Sequence, residues 1–321
     1  MKKTNPLKRI VFFPTLLFAC QLFAQPKVIG YLPINYIKTS DIDKIPFRKL
    51  THLNLAFLNP DSSGNFFVPV ELDLIVNKAH TNHVKVLASI GGGNAPAYFS
   101  KLLNDTHRES LTMNILKVIT EHQLDGVDVD LEGNSIDEHY TSFIGGLYHL
   151  LKRQKKLLTA AVATVYSPKL SPRALAMLDF VNIMSYDKTG PWTPNNPGQH
   201  APLAMAIEDI HYWNRTMGIS KKKIMLGVPF YGYQFGKDAI TALRFSDIVA
   251  KYPNAEIQDS VVVTDGVVIY YNGKETIRRK TSLALQKAGG IMIWQILQDA
   301  EGSNSLLTVI DETIIQSKQK K

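Results

Sequence analysis

Four carboxylic acids lie within ten residues of otherwise apolar sequence, LDGVDVDLEG, which begins at Leu124. In an extended strand, side chains two residues apart share one face. Asp128, Asp130 and Glu132 therefore point to one side, and the apolar residues between them point to the other. Acids this close repel one another, so at least one is expected to keep its proton at neutral pH. Proteins tolerate such a column mainly where it performs chemistry or holds a cation.

Two other interpretations fit this stretch poorly. A calcium-binding loop also has acids at alternate positions followed by glycine, but its twelfth position needs a glutamate, where this chain has His139. A solvated acidic edge strand would be polar on both faces, whereas Val127, Val129 and Leu131 make one face apolar. The pattern therefore favours an active-site strand, and we predict neither a metal ion nor a cofactor.

Eight apolar, often β-branched runs alternate with stretches of helical spacing. The predicted strands cover residues 28–31, 50–58, 84–90, 124–132, 157–166, 180–186, 224–231 and 290–296. Strands that alternate with helices predict a parallel sheet, and about eight such units in about 300 residues predict a closed (β/α)8, or TIM, barrel. The alternative is an open doubly wound sheet, but its Gly-x-Gly-x-x-Gly pattern does not follow the first strand.

Polar side chains collect where the predicted strands end. They are Ser89, Asp130, Glu132, Tyr166, Ser185, Tyr186, Asp187, Tyr231, Tyr233, Trp294 and Gln295. Active sites of such barrels lie at the carboxyl ends of the strands, so these residues are expected to face one cleft.

Two segments depart from a plain barrel. Residues 235–272 fall between the seventh and eighth strands and contain a helical stretch, 245–251, and a hairpin that turns at Asp265-Gly266. They predict a small α+β insertion. Residues 189–202 form a loop rich in proline, glycine and asparagine, and long loops of this kind are usually functional or mobile.

The first 24 of the 321 residues differ in composition from the rest. A basic start precedes an apolar run that is shorter than the roughly 20 residues of a membrane span. Ala24 then offers a small residue, which predicts a signal peptide cleaved after it. An uncleaved anchor, or a lipoprotein signal at Cys20, is the alternative. Residues 25–321 are then an exported, cysteine-free catalytic domain, periplasmic or secreted, with no stable membrane span.

The charge of the chain gives little support for nucleic-acid binding. The formal charge of +8 includes four basic residues and no acids in the first 24, so the remainder carries +4. The basic runs 221–223 and 278–280 flank apolar segments, and we interpret them as solvated edges of helices or strands.

The pattern Asp125-x-x-Asp128-x-Asp130-x-Glu132 resembles the signature of glycoside hydrolase family 18, the chitinases and related endo-β-N-acetylglucosaminidases. Four further motifs resemble that family in the same order along the chain: SIGG from Ser89, MSYD at 184–187, HAPL at 200–203 and GGIMIW at 289–294. The resemblance spans about residues 28–307. It implies a TIM barrel with a reduced insertion.

This resemblance also implies catalytic roles. Glu132 would protonate the leaving glycosidic oxygen and then act as base toward water. The 2-acetamido oxygen of the substrate would attack the anomeric carbon, because the family is an exception to the two-carboxylate scheme of glycosidases. Asp130 would orient the acetamide N–H, Tyr186 would hydrogen-bond the acetamide oxygen, and Asp128 would hold Asp130 by sharing a proton.

Other residues are predicted to bind the substrate or to support the acids. The predicted substrate-binding residues are Trp294, Asp187, Trp192, Tyr231, Tyr31 and Tyr166. Barrel packing is the alternative for Trp294, and a loop anchor is the alternative for Trp192. Asp125, which is out of phase with the other acids, and Ser89, which would support Asp128, are predicted to be structural.

The expected function is therefore that of an exported retaining glycoside hydrolase of β-1,4-linked N-acetylglucosamine glycans, namely chitin or chitooligosaccharides. The alternatives are an endo-β-N-acetylglucosaminidase of glycoprotein N-glycans or peptidoglycan and, with less support because Glu132 is present, a non-catalytic chitin-binding barrel. Leu131 and Gly93 each stand where many members of the family have tryptophan. Tyr233 stands where many have arginine. The loss of aromatic platforms favours soluble oligosaccharides or glycan cores as substrates.

Overall fold

A computed structural model describes residues 25–35, 37–236, 240–264 and 266–319. The signal peptide predicted at residues 1–24, the alternative lipid site at Cys20 and Asp265 of the predicted hairpin turn lie outside these residues. None of the helices in the described ranges is both long and apolar enough to cross a bilayer.

The described residues form twelve strands and ten α-helices. The strands are β1 (Lys27–Pro33), β2 (His52–Ala56), β3 (Lys85–Gly91), β4 (Gly126–Asp130), β5 (Leu157–Val162), β6 (Phe180–Ile183), β7 (Ile224–Pro229), β8 (Tyr231–Phe235), β9 (Thr241–Arg244), β10 (Ser260–Thr264), β11 (Val267–Tyr270) and β12 (Gly290–Trp294). The helices are α1 (Thr39–Ile42), α2 (Leu72–Thr81), α3 (Phe99–Leu103), α4 (Arg108–Glu121), α5 (Tyr140–Arg153), α6 (Pro172–Met177), α7 (Leu203–His211), α8 (Phe245–Lys251), α9 (Lys274–Lys287) and α10 (Leu306–Gln319).

Eight parallel strands close into a barrel in the order β1-β12-β7-β6-β5-β4-β3-β2. The alternation of strands with helices and the closure confirm the predicted TIM barrel. Parallel strands in such a barrel are covered on their outer face by helices, which is why each reads as an apolar run. On β4, for example, Val127 and Val129 are fully buried in the apolar layer outside the barrel.

The interior of the barrel is a smaller apolar cluster that lies next to the acids. Its buried members are Ile29, Tyr31, Ala56, Ala161, Phe180, Tyr186, Ala201, Met225 and Met292. Because side chains alternate along a strand, the residues on β4 that enter this interior are Asp128 and Asp130. The acid column therefore lies inside the carboxyl end of the barrel.

The predicted insertion is a four-stranded antiparallel sheet in the order β10-β11-β8-β9, accompanied by α8. It begins at Tyr231, four residues before the predicted boundary, because β8 follows β7 after only Phe230. The backbone N–H of Phe230 still donates to the Trp294 carbonyl of β12, at 2.8 Å. The insertion is therefore a direct continuation of the barrel wall.

Three local expectations differ from the structure. β4 ends at Asp130, so Glu132 lies just beyond the strand. β5 ends at Val162, and Tyr166 lies on the following 3-10 segment, Thr164–Lys169. Lys280 was expected on a solvated edge, but its side chain is fully buried on α9, because the β6–α7 loop and the insertion cover that face of the helix.

Candidate active site

Asp128 is the most completely bonded acid of the column. Its Oδ2 accepts hydrogen bonds from the Tyr31 hydroxyl, at 2.7 Å, and the Ser89 hydroxyl, at 2.8 Å. Its Oδ1 accepts from Thr159 Oγ1, at 2.6 Å, and Asn182 Nδ2, at 3.1 Å. Burial raises the pKa of Asp128, whereas these hydrogen bonds lower it.

The sharing of a proton between Asp128 and Asp130 stays a prediction, and the two acids differ in their hydrogen bonds. Four neutral donors already occupy the Asp128 oxygens. Within the described residues, Oδ1 of Asp130 is buried and has no hydrogen-bond partner. Burial raises the pKa of Asp130 well above its usual value, and the charges of Glu132 and Asp128 raise it further. Asp130 therefore has an open hydrogen-bonding oxygen and a strong tendency to hold a proton.

Glu132 lies at the mouth of the barrel and is only partly buried. Burial, followed by the charge of Asp187, raises its pKa from 4.5 to about 7. A carboxyl group with such a pKa is protonated in a large fraction of molecules at neutral pH, which a general acid requires. The charge of Glu132 raises the pKa of Asp130, so measured pKa values belong to the two carboxyl groups together.

Glycines at the end of β3 and just beyond it leave room for the acids. The Gly92 N–H donates to the Asp130 carbonyl at 2.7 Å. Gly91 has φ of 107°, and a Cβ there would lie 2.2 Å from that carbonyl oxygen. A Cβ on Gly93 would lie 3.3 Å from Glu132 Oε1. The SIGG motif and Gly93 therefore allow the β3 loop to approach β4 closely.

Asp187 is the second charge at the mouth. It has φ of 63°, in the left-handed region that is uncommon for residues other than glycine. Its Oδ1 accepts from the Tyr231 hydroxyl at 2.5 Å and from the Tyr233 hydroxyl at 3.3 Å, and it lies 3.4 Å from His200 Nδ1. These three contacts hold Asp187 where its charge acts on Glu132.

Tyr186 is buried next to the acids. Its hydroxyl lies 3.9 Å from Met292 Sδ, a weak acceptor. Burial and then the charge of Asp130 raise the pKa of Tyr186 well above its usual value. The phenol is therefore a neutral donor at any physiological pH, and a stronger acceptor than sulfur would bond to it.

Aromatic rings surround the acids. Trp294 stacks on Phe57, with ring centroids 5.7 Å apart and an interplanar angle of 26°, and lies 5.5 Å from the Tyr31 ring. Trp192 is 54% exposed and packs edge-on against Tyr233 at 5.8 Å. Such rings offer apolar faces of the kind that pack on sugars.

The structure brings most of the predicted residues together. Tyr31 is buried with its hydroxyl on Asp128, so its role as a glycan contact stays a prediction. Tyr166 lies near Glu132, whose charge adds to burial in raising the pKa of Tyr166. Asp125 lies apart from the others, at the start of β4, where its Oδ2 accepts from the Val86 N–H at 2.8 Å.

Several residues of the site were missed from the sequence. Thr159 and Asn182 contact Asp128, His200 contacts Asp187, and Phe57 stacks on Trp294. A polar residue inside an apolar run was the available signal for Thr159 and Asn182. Within the described ranges, no group of three or more His, Cys, Asp or Glu residues is arranged to hold a metal ion.

The protein belongs to the glycosyl hydrolases family 18, whose sequence profile matches residues 27–299. A family 18 chitinase, ChiB, from the chitin utilization locus of Flavobacterium johnsoniae is 37% identical, with a TM-score of 0.83 over 92% of this chain and 95% of that one. A chitinase from Bacteroides thetaiotaomicron is 30% identical, with a TM-score of 0.81 over 92% of this chain and 98% of that one.

A chitinase-like effector of Moniliophthora roreri is 28% identical over 66% of this chain. The match covers 60% of that protein, so the chain corresponds to only part of its length. These comparisons confirm the family and the fold that the sequence predicted.

Proposed function

We propose that the protein is an exported, retaining glycoside hydrolase that cleaves β-1,4-linked N-acetylglucosamine glycans, such as chitooligosaccharides, with the help of the substrate's own acetamide group. The observation that supports this most directly is the pairing of Glu132, whose pKa is raised to about 7, with the buried Asp130, whose Oδ1 lacks a partner among the described residues.

Glu132 is the group suited to move the proton. It lies at the mouth of the barrel, where a glycosidic oxygen can approach it, and burial keeps its proton on in a large fraction of molecules at neutral pH. Once that proton has passed to the leaving oxygen, the carboxylate becomes a base that can activate water. A pKa near the working pH suits both steps, because the group must give up a proton and then take one back.

Asp130 and Tyr186 are suited to the acetamide. The open Oδ1 of Asp130 can accept the acetamide N–H, and the Tyr186 hydroxyl can donate to the acetamide oxygen. Together they would hold that oxygen against the anomeric carbon, which replaces a bimolecular attack by an intramolecular one. When Asp130 is ionised, its negative charge would also stabilise the positive charge that develops on the acetamide carbon and nitrogen.

The test replaces one oxygen of the general acid with nitrogen. Glu132→Gln has nearly the same shape but cannot donate the carboxyl proton, so turnover of a defined chitooligosaccharide should fall by a factor of about 10² or more. Glu138→Gln makes the same chemical change on an exposed side chain and should leave turnover unchanged. Equal turnover of wild type and Glu132→Gln would exclude Glu132 as the acid.

Two further measurements address the nucleophile and the substrate class. A thiazoline analogue of N-acetylglucosamine should inhibit, and lack of inhibition would contradict acetamide participation. We would compare the products released from chitooligosaccharides, an N-glycoprotein and peptidoglycan. This comparison distinguishes chitinase action from endo-β-N-acetylglucosaminidase action. Binding without turnover on all three would favour a sugar-binding barrel.

A further inference from the structure

Lys280 on α9 is the one lysine or arginine that is fully buried among the described residues. A buried amine is costly unless its protons are satisfied. Its Nζ donates to the Ala201 carbonyl and to Asn272 Oδ1, both at 2.8 Å. Burial lowers the pKa of Lys280 to about 7, although Asp259 and Asp209 oppose that effect. None of the steps described above uses this group.

The two acceptors of Lys280 belong to different parts of the fold. Ala201 lies in the loop between β6 and α7, and Asn272 lies between the insertion and α9. Asn272 Nδ2 also donates to the Ala201 carbonyl, at 3.0 Å. Gln199 adds a third connection, because its Nε2 donates to the Tyr271 carbonyl at 2.5 Å. Ala201 is therefore fixed by two donors at one oxygen.

His200, the residue before Ala201, contacts residues of the candidate active site. His200 is completely buried, with Nε2 3.2 Å from the Tyr231 carbonyl and Nδ1 3.4 Å from Asp187 Oδ1. The Ala201 carbonyl belongs to the peptide bond with Pro202, and Ala201 is joined to His200 through its N–H, so a shift of Ala201 at this carbonyl would also move His200. Asp187 would then lose one of its three contacts, and its charge raises the pKa of Glu132.

We propose that Lys280 is a positioning residue for the general acid: by holding the Ala201 carbonyl it fixes His200, and through His200 it fixes Asp187 beside Glu132. This role rests on the proposed function of Glu132. The position of Asp187 relative to the Glu132 carboxyl group can nevertheless be measured without a substrate. The acidic groups that face Lys280 are Asp209 of α7 and Asp259, which precedes β10.

The experiment measures the pKa of Glu132 by carboxyl ¹³C NMR, with the resonance assigned from its absence in Glu132→Gln. Lys280→Met keeps the length of the side chain and removes its donors, so the pKa of Glu132 should fall by about 0.5 or more. The alkaline limb of the kcat/KM profile should move to lower pH by the same amount. Lys287→Met, an exposed substitution on the same helix, should change neither quantity.

A purely structural role for Lys280 would lower thermal stability and leave the pKa of Glu132 unchanged in the folded variant, which would overturn the proposal. If Lys280→Met does not fold, Asn272→Ala removes both the acceptor that holds Lys280 Nζ and the second donor to the Ala201 carbonyl. The pKa of Glu132 should then fall in that variant, and an unchanged pKa would overturn the proposal. If wild type cleaves no glycan, the proposed function fails, and the NMR titration still tests the positioning role by itself.

Discussion

The raised pKa of Glu132 should lower the free energy of unfolding at a pH where this group is ionised, and unfolding measurements can detect the difference. A carboxyl group whose pKa is higher in the folded than in the unfolded state binds its proton more tightly when folded. The folded state is then favoured below the unfolded pKa and loses stability as the pH rises toward the folded pKa. Glu132→Gln cannot ionise, so it should become progressively more stable than wild type across this range.

The size of the effect follows from the pKa. The rise from 4.5 to about 7 corresponds to about 3.4 kcal/mol at 1.36 kcal/mol for each pKa unit. Only part of this lies in an accessible range, because the unfolded group is already partly ionised at pH 5. Between pH 5 and pH 8.5, the free energy of unfolding of the variant minus that of wild type should increase by about 2–3 kcal/mol.

Urea unfolding of wild type and Glu132→Gln at closely spaced pH values would measure this difference. Subtracting the wild-type curve of unfolding free energy against pH from that of the variant cancels the titration of every group that does not interact with Glu132. The difference then reports the titration of Glu132 together with that of Asp130, whose pKa depends on the charge of Glu132. Glu138→Gln, which is exposed, should run parallel to wild type. A difference between wild type and Glu132→Gln that stays constant within about 0.5 kcal/mol from pH 5 to pH 8.5 would refute the raised pKa.

Three further substitutions test the arrangement around the acids. Tyr31→Phe removes the 2.7 Å hydrogen bond to Asp128 and should lower the free energy of unfolding in urea by about 1.5–3 kcal/mol; a loss below about 0.5 kcal/mol would contradict the assignment of this donor. Gly91→Ala places a Cβ 2.2 Å from a β4 carbonyl oxygen at φ of 107°, so we expect a loss above about 4 kcal/mol or no soluble protein; a wild-type unfolding midpoint would show that β4 can move. Asp187→Asn removes the negative charge that raises the pKa of Glu132, so the alkaline limb of the kcat/KM profile should move to lower pH; an unmoved limb would leave burial as the whole cause.

Features set by local sequence were predictable. The alternation over Asp128, Asp130 and Glu132 gave the face of the strand, and the apolar runs gave the barrel. The strand itself is shorter than the apolar run and ends at Asp130, because its pairing with β5 stops at Val129 and its pairing with β3 stops at Asp130. The position of Glu132 beyond the last ladder pair is what exposes it at the mouth.

Features that depend on distant parts of the chain were not predictable. Asn182 and Thr159 reach Asp128 only because the barrel closes and brings β5 and β6 alongside β4. Lys280 follows two arginines in the sequence and has the pattern of an exposed helix face. Its burial depends on Ala201 and Asn272, which lie 79 and 8 residues away along the chain. The helical periodicity of α9 therefore could not predict that Lys280 is buried.

The junction between β7 and β8 limits how far the insertion can move relative to the acids. A single residue, Phe230, separates the barrel strand from the wall strand, and its N–H and carbonyl both take part in hydrogen bonds, to Trp294 and from Phe245. A wall joined this tightly cannot swing outward like a lid without breaking the barrel ladder. Under the proposed function, a glycan would therefore meet the insertion as a fixed wall beside the acids and not as a moving lid.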